Sequence, residues 1–324
     1  MQSTGINAQH DKVEPSVSII IVVWNAQKYV MECLETLERY LGDVHAEIIA
    51  VDNASTDGTP DLIVQRFPNV KLIRNPGNFG FARANNIGIQ HSTGEYLAFV
   101  NSDVVFIENS LAPMLDYMAR HPDVGMSGPQ MLDTQHQIAR STMRFPTVWN
   151  TLSRALALDS LFKSSNFFEG HLMLDFNHSV TTDVDVLAGW FWLVRRTALD
   201  KVGPLDEGFF MYGEDIDWCY RFRNSGERVV FFAGTKAIHI GGASSSVAPV
   251  RFSVEKQRAN WQVFRKHFGF AKRLGLLLTE ILHNATRAIG YGILYAVKQS
   301  DRQASLLKYQ RSVACLGWLL RAGV

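Results

Sequence analysis

Apolar positions along the first hundred residues switch between two periods. Val17–Trp24 (VSIIIVVW) is an unbroken, β-branched run, the mark of a buried strand. Tyr29–Leu41 instead carries apolar residues at 30, 33, 34, 37 and 41, the spacing of one helix face. The alternation continues. Ala46–Asp52 reads as a strand, a turn rich in Asn, Ser, Asp and Gly follows, and a helix is expected from Pro60. Val70–Arg74 is a third strand, Ala82–Gln90 a helix and Tyr96–Asn101 a fourth strand. This pattern predicts an α/β fold with a mostly parallel sheet covered by helices on both faces. Right-handed crossovers would collect the carboxyl ends of the strands on one edge, where ligands bind in such sheets.

Between Gln130 and Thr182 the pattern weakens to variable loop and helix. It resumes with Val184–Arg195 as one strand, Glu214–Asn224 as a helix, and Arg228–Phe232 and Lys236–His239 as separate strands. Beyond Arg251 the chain reads as helical. Leu274–Val297 has apolar residues at 274, 277, 278, 281, 282, 285, 288 and 289, with polar residues largely opposite, which is an amphipathic helix. Glu280, His283 and Arg287 argue against a membrane span, and no run of about 18 apolar residues occurs anywhere. Three regions follow: a polar tail over 1–16, an α/β body over 17–250, and a helical region over 251–324.

Composition changes this picture in two respects. With 47% apolar and 19% charged residues in 324, the chain is of ordinary globular make-up, which excludes intrinsic disorder. Cys33, Cys219 and Cys315 have neither disulfide-framework nor metal-type spacing, which fits a reducing, cytoplasmic compartment. The net charge of +1 hides an asymmetry: residues 1–250 hold 19 Lys and Arg against 28 Asp and Glu, residues 251–324 hold 13 against 3. A basic helical region seeks anions, such as lipid headgroups. The amphipathic helix either lies in a membrane interface or packs on the body. No basic patch interleaved with aromatics marks the body, so nucleic acid is not expected as a partner. Residues 1–16 show no targeting pattern.

Polar residues recur just past the apolar strands: Asn25 after the first, Asp52 and Asn53 after the second, Asn101, Ser102 and Asp103 after the fourth. One such residue is an ordinary turn or cap; three on one edge point to a site, because a buried carboxylate needs a donor or a cation. An Asp there can accept from a base or ribose. Gly77–Asn86 (GNFGFARANN) places glycines before a helix start with Arg83 inside it, either a plain turn or a place where backbone and guanidinium meet phosphate. In Glu214-Asp215-Ile216-Asp217, crowded acids raise the pKa of at least one, as a base would need; equally, acids suit the first turn of a helix. His239 ends a strand and is either structural or, with Asp103, part of a cation site. Trp190 and Trp192 alternate with Phe191, so both are expected on one strand face, as core or as an aromatic platform.

The runs VSIIIVVWN, VDNASTDGT, GNFGFARANN, NSD, GWFWLVRR and YGEDIDWCYR, in this order and spacing, resemble the family 2 glycosyltransferases of the GT-A fold, and the bacterial rhamnosyltransferase-like members most. The resemblance spans Val17 to Gly242. It implies a Rossmann-like GT-A body and inverting transfer from a nucleotide-diphospho-sugar to an acceptor hydroxyl. It further implies that Asn25 and Asp52 hold nucleobase and ribose, and that Arg83 and Asn85 line the nucleotide and diphosphate pocket. Asn101-Ser102-Asp103 stands where the family has Asp-any-Asp. Asp103 would meet a divalent cation, Mg2+ or Mn2+, with His239 as a further ligand, while Asn101 replaces the first Asp. Asp215 would be the general base, Glu214 would help place the acceptor, and Trp190 and Trp192 would border the acceptor site. The donor implied is dTDP-rhamnose and the acceptor a lipid-linked or growing cell-surface glycan, at the cytoplasmic face of a bacterial inner membrane. Transfer of galactofuranose, glucose or N-acetylglucosamine from a UDP-sugar, or a catalytically lapsed nucleotide-binding scaffold, are the alternatives.

Overall fold

In the computed structural model, residues 16–162, 165, 167–174, 176–241, 248–297 and 301–322 are described. Gly242, Lys298 and, apart from Ser16, the polar N-terminal tail lie outside them. The chain begins with β1 (Val17–Val23), α1 (Gln27–Tyr40), β2 (Ala46–Asp52), α2 (Thr59–Arg66), β3 (Lys71–Arg74), α3 (Gly80–Gln90) and β4 (Tyr96–Asn101). These are the alternating elements the two hydrophobic periods predict. Next come β5 (Val104–Phe106), α4 (Leu111–Arg120), β6 (Val124–Leu132), β7 (Ile138–Ala139), β8 (Thr142–Met143), α5 (Val148–Ala155) and α6 (Leu158–Leu161). Then follow β9 (Thr182–Asp183), β10 (Val186–Leu187), β11 (Phe191–Arg195), α7 (Arg196–Val202), α8 (Glu214–Asn224) and β12 (Arg228–His239). The chain closes with α9 (Pro249–His267), α10 (Phe270–Val297) and α11 (Arg302–Ala322).

The main sheet runs β3-β2-β1-β4-β11-β6-β12-β5. Its first four strands are parallel, as expected; beyond β4 it is mixed, because β11 pairs antiparallel with both β4 and β6 and β5 pairs antiparallel with β12. Period-two packing splits the core. Val17, Ile19, Ile21 and Val23 of β1 face α1, α2 and α4, whereas Ile20 joins Trp192, Trp218 and Phe222 under α3, α7 and α8. Helices therefore cover both faces.

Two expected boundaries move. Val184–Arg195 is not one strand: it breaks at Ala188–Gly189, so that β10 pairs with β8 in a small separate sheet and β11 enters the main one. Arg228–His239 is not two strands but one, with a register shift between Phe232 and Lys236 that absorbs Ala233, Gly234 and Thr235.

The basic region folds onto the body. Phe264, Phe268, Leu276, Leu277 and Leu319 form a third cluster with Phe209, and Val148 of α5 packs against it. Thr151 of α5 meets Thr279 of α10 at 3.0 Å, and Arg287 reaches the carbonyls of Arg154 and Ala155 in the last turn of α5, where a helix leaves carbonyls without a partner further along its own backbone. Packing claims only part of α10. Leu278, Ile289, Ile293 and Val297 stay 57–75% exposed, an apolar stripe beside the buried Leu277, Asn284 and Ala288.

Candidate active site

Register sets the polar strand ends side by side: Val23 lies opposite Asp52, and Val22 opposite Asn101. Asn25 takes the left-handed conformation (φ 46°) that turns the chain out of β1, one that Asn tolerates better than most residues. Its Oδ1 accepts from the Thr56 amide at 2.8 Å, and its own amide donates to Ser55 Oγ at 2.9 Å. The buried Asp52 carboxylate accepts from the Ser55 amide at 3.2 and 3.3 Å. The loop after β2 is thus folded over both residues.

Asn53 extends the network. Its Nδ2 donates to the Gly80 carbonyl at 3.1 Å, and its Oδ1 accepts from Asn75 Nδ2 at 2.9 Å. Gly80 (φ 81°) must be glycine, since a Cβ there would lie 2.4 Å from the Phe210 carbonyl oxygen. That carbonyl accepts from the Phe81 amide at 2.8 Å, so the start of α3 is bonded to the loop leading into α8. Arg83 projects from the first turn of α3, its guanidinium 4.2 Å from the Phe79 ring centre and 3.7 Å from Glu207. Asn85 does not open onto the edge: it is buried in α3 with Nδ2 bonded to the Phe81 carbonyl of its own helix.

At the end of β4, Asn101, Asp103 and His239 come together. The pairing of β5 with β12 sets Val104 opposite His239. His239 Nε2 lies 3.2 Å from Asp103 Oδ1 and 3.3 Å from Asn101 Nδ2, while Asp103 Oδ2 accepts from the Gly241 amide at 3.1 Å. Among the described residues no three His, Cys, Asp or Glu side chains gather as a metal site. One carboxylate and one imidazole still fit a Mg2+- or Mn2+-type ion whose remaining ligands come from phosphate and water.

The tryptophans do not share a face. Trp190 precedes β11 and belongs to the α1 side of the core, its ring stacked on His239 at 5.6 Å. Trp192 is fully buried on the other side, edge-on to Phe81, Phe99 and Trp218. The alternation begins only at Phe191, one residue later than the sequence pattern suggests. A fully buried Trp192 offers no platform to a ligand; Trp190 orients His239.

Gly213 (φ 80°) opens α8, which begins with Glu214 and Asp215. Glu214 is buried, with Oε2 lacking a hydrogen-bond partner, and Gly189 leaves it room. Burial, then the charge of Asp215, pushes the Glu214 carboxyl up to about 8. Burial also raises Asp215, against the Ile216 amide, the charge of Lys256 and the Gly189 amide, which favour its ionised form. Glu214 therefore keeps its proton through neutral pH, while the donors and the cation around Asp215 oppose the rise that burial gives it. Asp217, the third acid, goes the other way: fully buried, it contacts Arg221, Lys266 and His267, and these hold it below the usual carboxylate range.

Because Glu214 holds its proton in the fold far above its unfolded value, the stability this gives is full below about pH 4.5. It is lost as pH rises through about 8. Glu214→Gln keeps the neutral shape without a proton to lose. Melting temperatures of variant and parent should therefore diverge in favour of the variant between pH 5 and 9. Parallel curves in calorimetry across that range would remove Glu214 from this role.

Asp215 faces a cavity that sequence reasoning did not reveal. Its other walls include Arg144, Tyr212, Lys256, Asn260 and Glu280, drawn from the loops before α5 and α8, from α9 and from α10. Only the basic character of 251–324 hinted that this region faces the acids.

The chain matches the family model described as "Glycosyl transferase family 2" over residues 18–203. It is 30% identical over 220 residues to the N-acetylglucosaminyl-diphospho-decaprenol L-rhamnosyltransferase of Mycobacterium tuberculosis, covering 63% of this chain and 71% of that protein. It is 28% identical over 235 residues to the rhamnosyltransferase WbbL of Escherichia coli K12, covering 69% and 83%. Among solved structures, the mannosyltransferase PcManGT of Pyrobaculum calidifontis superposes with a TM-score of 0.57 at 16% identity, over 97% of this chain and 89% of that one. The protein belongs to glycosyltransferase family 2 and is a glycosyltransferase of the GT-A fold. Within that family it is similar to rhamnosyltransferases.

Proposed function

We propose that the protein transfers L-rhamnose from dTDP-rhamnose, with inversion, to a hydroxyl of a lipid-linked or growing cell-surface glycan. The donor and acceptor classes follow its two rhamnosyltransferase relatives, one named for a diphospho-lipid acceptor. The observation that carries the chemistry is the acid pair at the start of α8, a protonated Glu214 beside Asp215, with Asp215 lining a cavity and held by amide donors that suit its ionised form.

In this reading Asn25 and Asp52 hold nucleobase and ribose at the ends of β1 and β2, and Arg83 offers its guanidinium to the diphosphate. Asp103 and His239 would hold a divalent cation, which supplies charge neutralisation at the departing diphosphate. Asn101 supports His239 where a second carboxylate would otherwise stand. Asp215 takes the proton of the acceptor hydroxyl as its oxygen bonds to the anomeric carbon and the bond to the diphosphate oxygen breaks. A single displacement inverts that carbon. No covalent sugar–enzyme species is needed.

Thermal shift against nucleotide-diphospho-sugars tests the donor. dTDP-rhamnose is expected to raise the melting temperature by several degrees, more with Mg2+ or Mn2+, since ligand bound only by the native state stabilises it. Preference for a UDP-sugar would replace rhamnose and keep the mechanism. No response to any donor would overturn the reading.

A place at the cytoplasmic face of the membrane is part of the same proposal. No helix among the described residues is long and apolar enough to cross a membrane. The exposed stripe of Leu278, Ile289, Ile293 and Val297, on a region rich in Lys and Arg, suits shallow insertion among anionic lipids. Ile289→Gln with Ile293→Gln should cut sedimentation with anionic vesicles several-fold at unchanged melting temperature. Equal sedimentation would remove the stripe from this role.

A further inference from the structure

The cavity facing Asp215 does not end there. It shares Thr151, His171, Leu172, Lys256, Asn260 and Glu280 with a second cavity of about 270 Å3 between α5, α9 and α10. The second cavity adds Arg154, Ser253, Gln257, His283 and Asn284. Its walls are built almost wholly of hydrogen-bonding side chains, which is unusual for a space between packed helices, where apolar contacts dominate.

Two of these groups are left with bonding capacity. Gln257 is 6% exposed; its Oε1 accepts from Asn284 Nδ2 at 3.3 Å, but its Nε2 has no partner at hydrogen-bond geometry, although the Glu280 carboxyl is near enough to feel the amide. His171 Nδ1 is likewise buried and unpartnered. An unmet buried polar atom costs about 1–3 kcal/mol, so such groups together mark a place where a ligand completes the bonding.

Charge decides which ligand. Burial pushes the His171 and His283 imidazoles down to about 4, so both are neutral donor–acceptors at neutral pH. Arg154 is already paired with Asp159 at 3.2 Å. Glu280 lines this cavity and Asp215 the adjoining one, and both carboxyls oppose a phosphate; Lys256 lines both, while Arg144 of the adjoining cavity is paired with Glu169 at 2.8 Å. Mixed donors and acceptors around a small volume suit a neutral, hydroxyl-rich group. The size lies just below the ~300 Å3 at which sites for drug-sized ligands begin, on the scale of a single sugar ring.

We propose that this cavity, walled by α5, α9 and α10 and adjoining the one that Asp215 lines, is the subsite for a neutral sugar ring of the acceptor glycan. Resting on the glycosyltransferase reading above, it assigns the basic helical region a part in acceptor recognition. Most of its walls lie beyond residues 18–203, the span matched by the family model. Acceptor choice would then be set by this region and not by the strand edge.

Saturation-transfer NMR with a panel of methyl glycosides, in the presence of dTDP, reads the subsite without turnover. At least one glycoside should bind the parent protein. Gln257→Leu should weaken it at least tenfold, and so should Asn260→Ala, a partly exposed position chosen in case the buried variant fails to fold. The dTDP-induced rise in melting temperature should be unchanged in both. In assays with a lipid-linked acceptor, KM for acceptor should rise by a similar factor with KM for donor constant. No glycoside binding by the parent, or undiminished binding in a folded variant, overturns the subsite. Glycoside binding that follows these variants, with no transfer from any nucleotide-sugar, would instead overturn the proposed reaction and leave the sugar site standing.

Discussion

Asp215→Asn is expected to lower turnover by about two to four orders of magnitude while leaving donor binding within a factor of two. That range is what a positioned general base contributes. The substitution is close to isosteric, and an amide oxygen can still accept from the Ile216 amide, which Asp215 Oδ1 now does at 2.8 Å. What disappears is the ability to accept a proton. The parent should also show an acid limb in kcat/KM set above the pH of an ordinary exposed carboxylate, since burial raises Asp215. Asp215 is active in its ionised form, so the rate falls as pH drops through that limb. Residual turnover of the Asn variant should be flat across the same interval. Steady-state kinetics from pH 4.5 to 9, with nucleotide binding measured alongside, checks both expectations. A variant with parental turnover, or one retaining the limb, would take the base role away from Asp215.

The first four strands and their helices were legible because parallel strands buried on both faces are written as continuous apolar runs, and because each helix face repeats within a few residues. The same apolar continuity misled at VDVLAGWFWLVR. Nothing in hydropathy marks the break at Ala188–Gly189, which sends β10 and β11 to different sheets. The phase error placed Trp190 and Trp192 on one face, although Trp190 stands outside β11. At Ala233–Gly234 the opposite occurred: a glycine that reads as a break is a bulge within β12. At the site, Asn25, Asp52, Asn101 and Asp103 could be gathered on one edge because topology puts every parallel strand's carboxyl end there. The meeting of Asp103 with His239, 136 residues later, could be offered from the residues only as one of two alternatives, because spacing along the chain does not bring distant strands together. The cavity beside Asp215 had no sequence signature beyond the basic character of 251–324, since its walls join Thr151 of α5 to Lys256 of α9, 105 residues later.

Asp217 separates two readings of the acidic run that the sequence left level, and its removal should destabilise the fold markedly. Its carboxylate is fully buried and meets Arg221 Nε at 3.0 Å, Lys266 Nζ at 2.8 Å and His267 Nε2 at 2.6 Å. Arg221 is one turn along α8, a spacing at which paired charges meet. Lys266 and His267 end α9, so the cluster pins α9 to α8, and Lys266 adds a bond to Asp206 at 2.5 Å. Asp217→Ala leaves three donors without their common acceptor. Breaking a buried pair costs about 3–5 kcal/mol, and the partial exposure of Lys266 and Arg221 puts the expectation at the lower end, about 3 kcal/mol. The fall in melting temperature should be on the order of 5–10 °C. The partners hold the Asp217 pKa below its unfolded value, so this stabilisation is present above about pH 4 and fades as pH falls through the depressed value. Parent and variant should therefore differ at pH 7 and converge in acid. Calorimetry at pH 7 and pH 3 distinguishes this from a simple packing defect, whose cost would persist at both. A loss below 1 kcal/mol at pH 7 would mean that the apolar cluster of Phe209, Phe264 and Phe268 holds α9 in place without it.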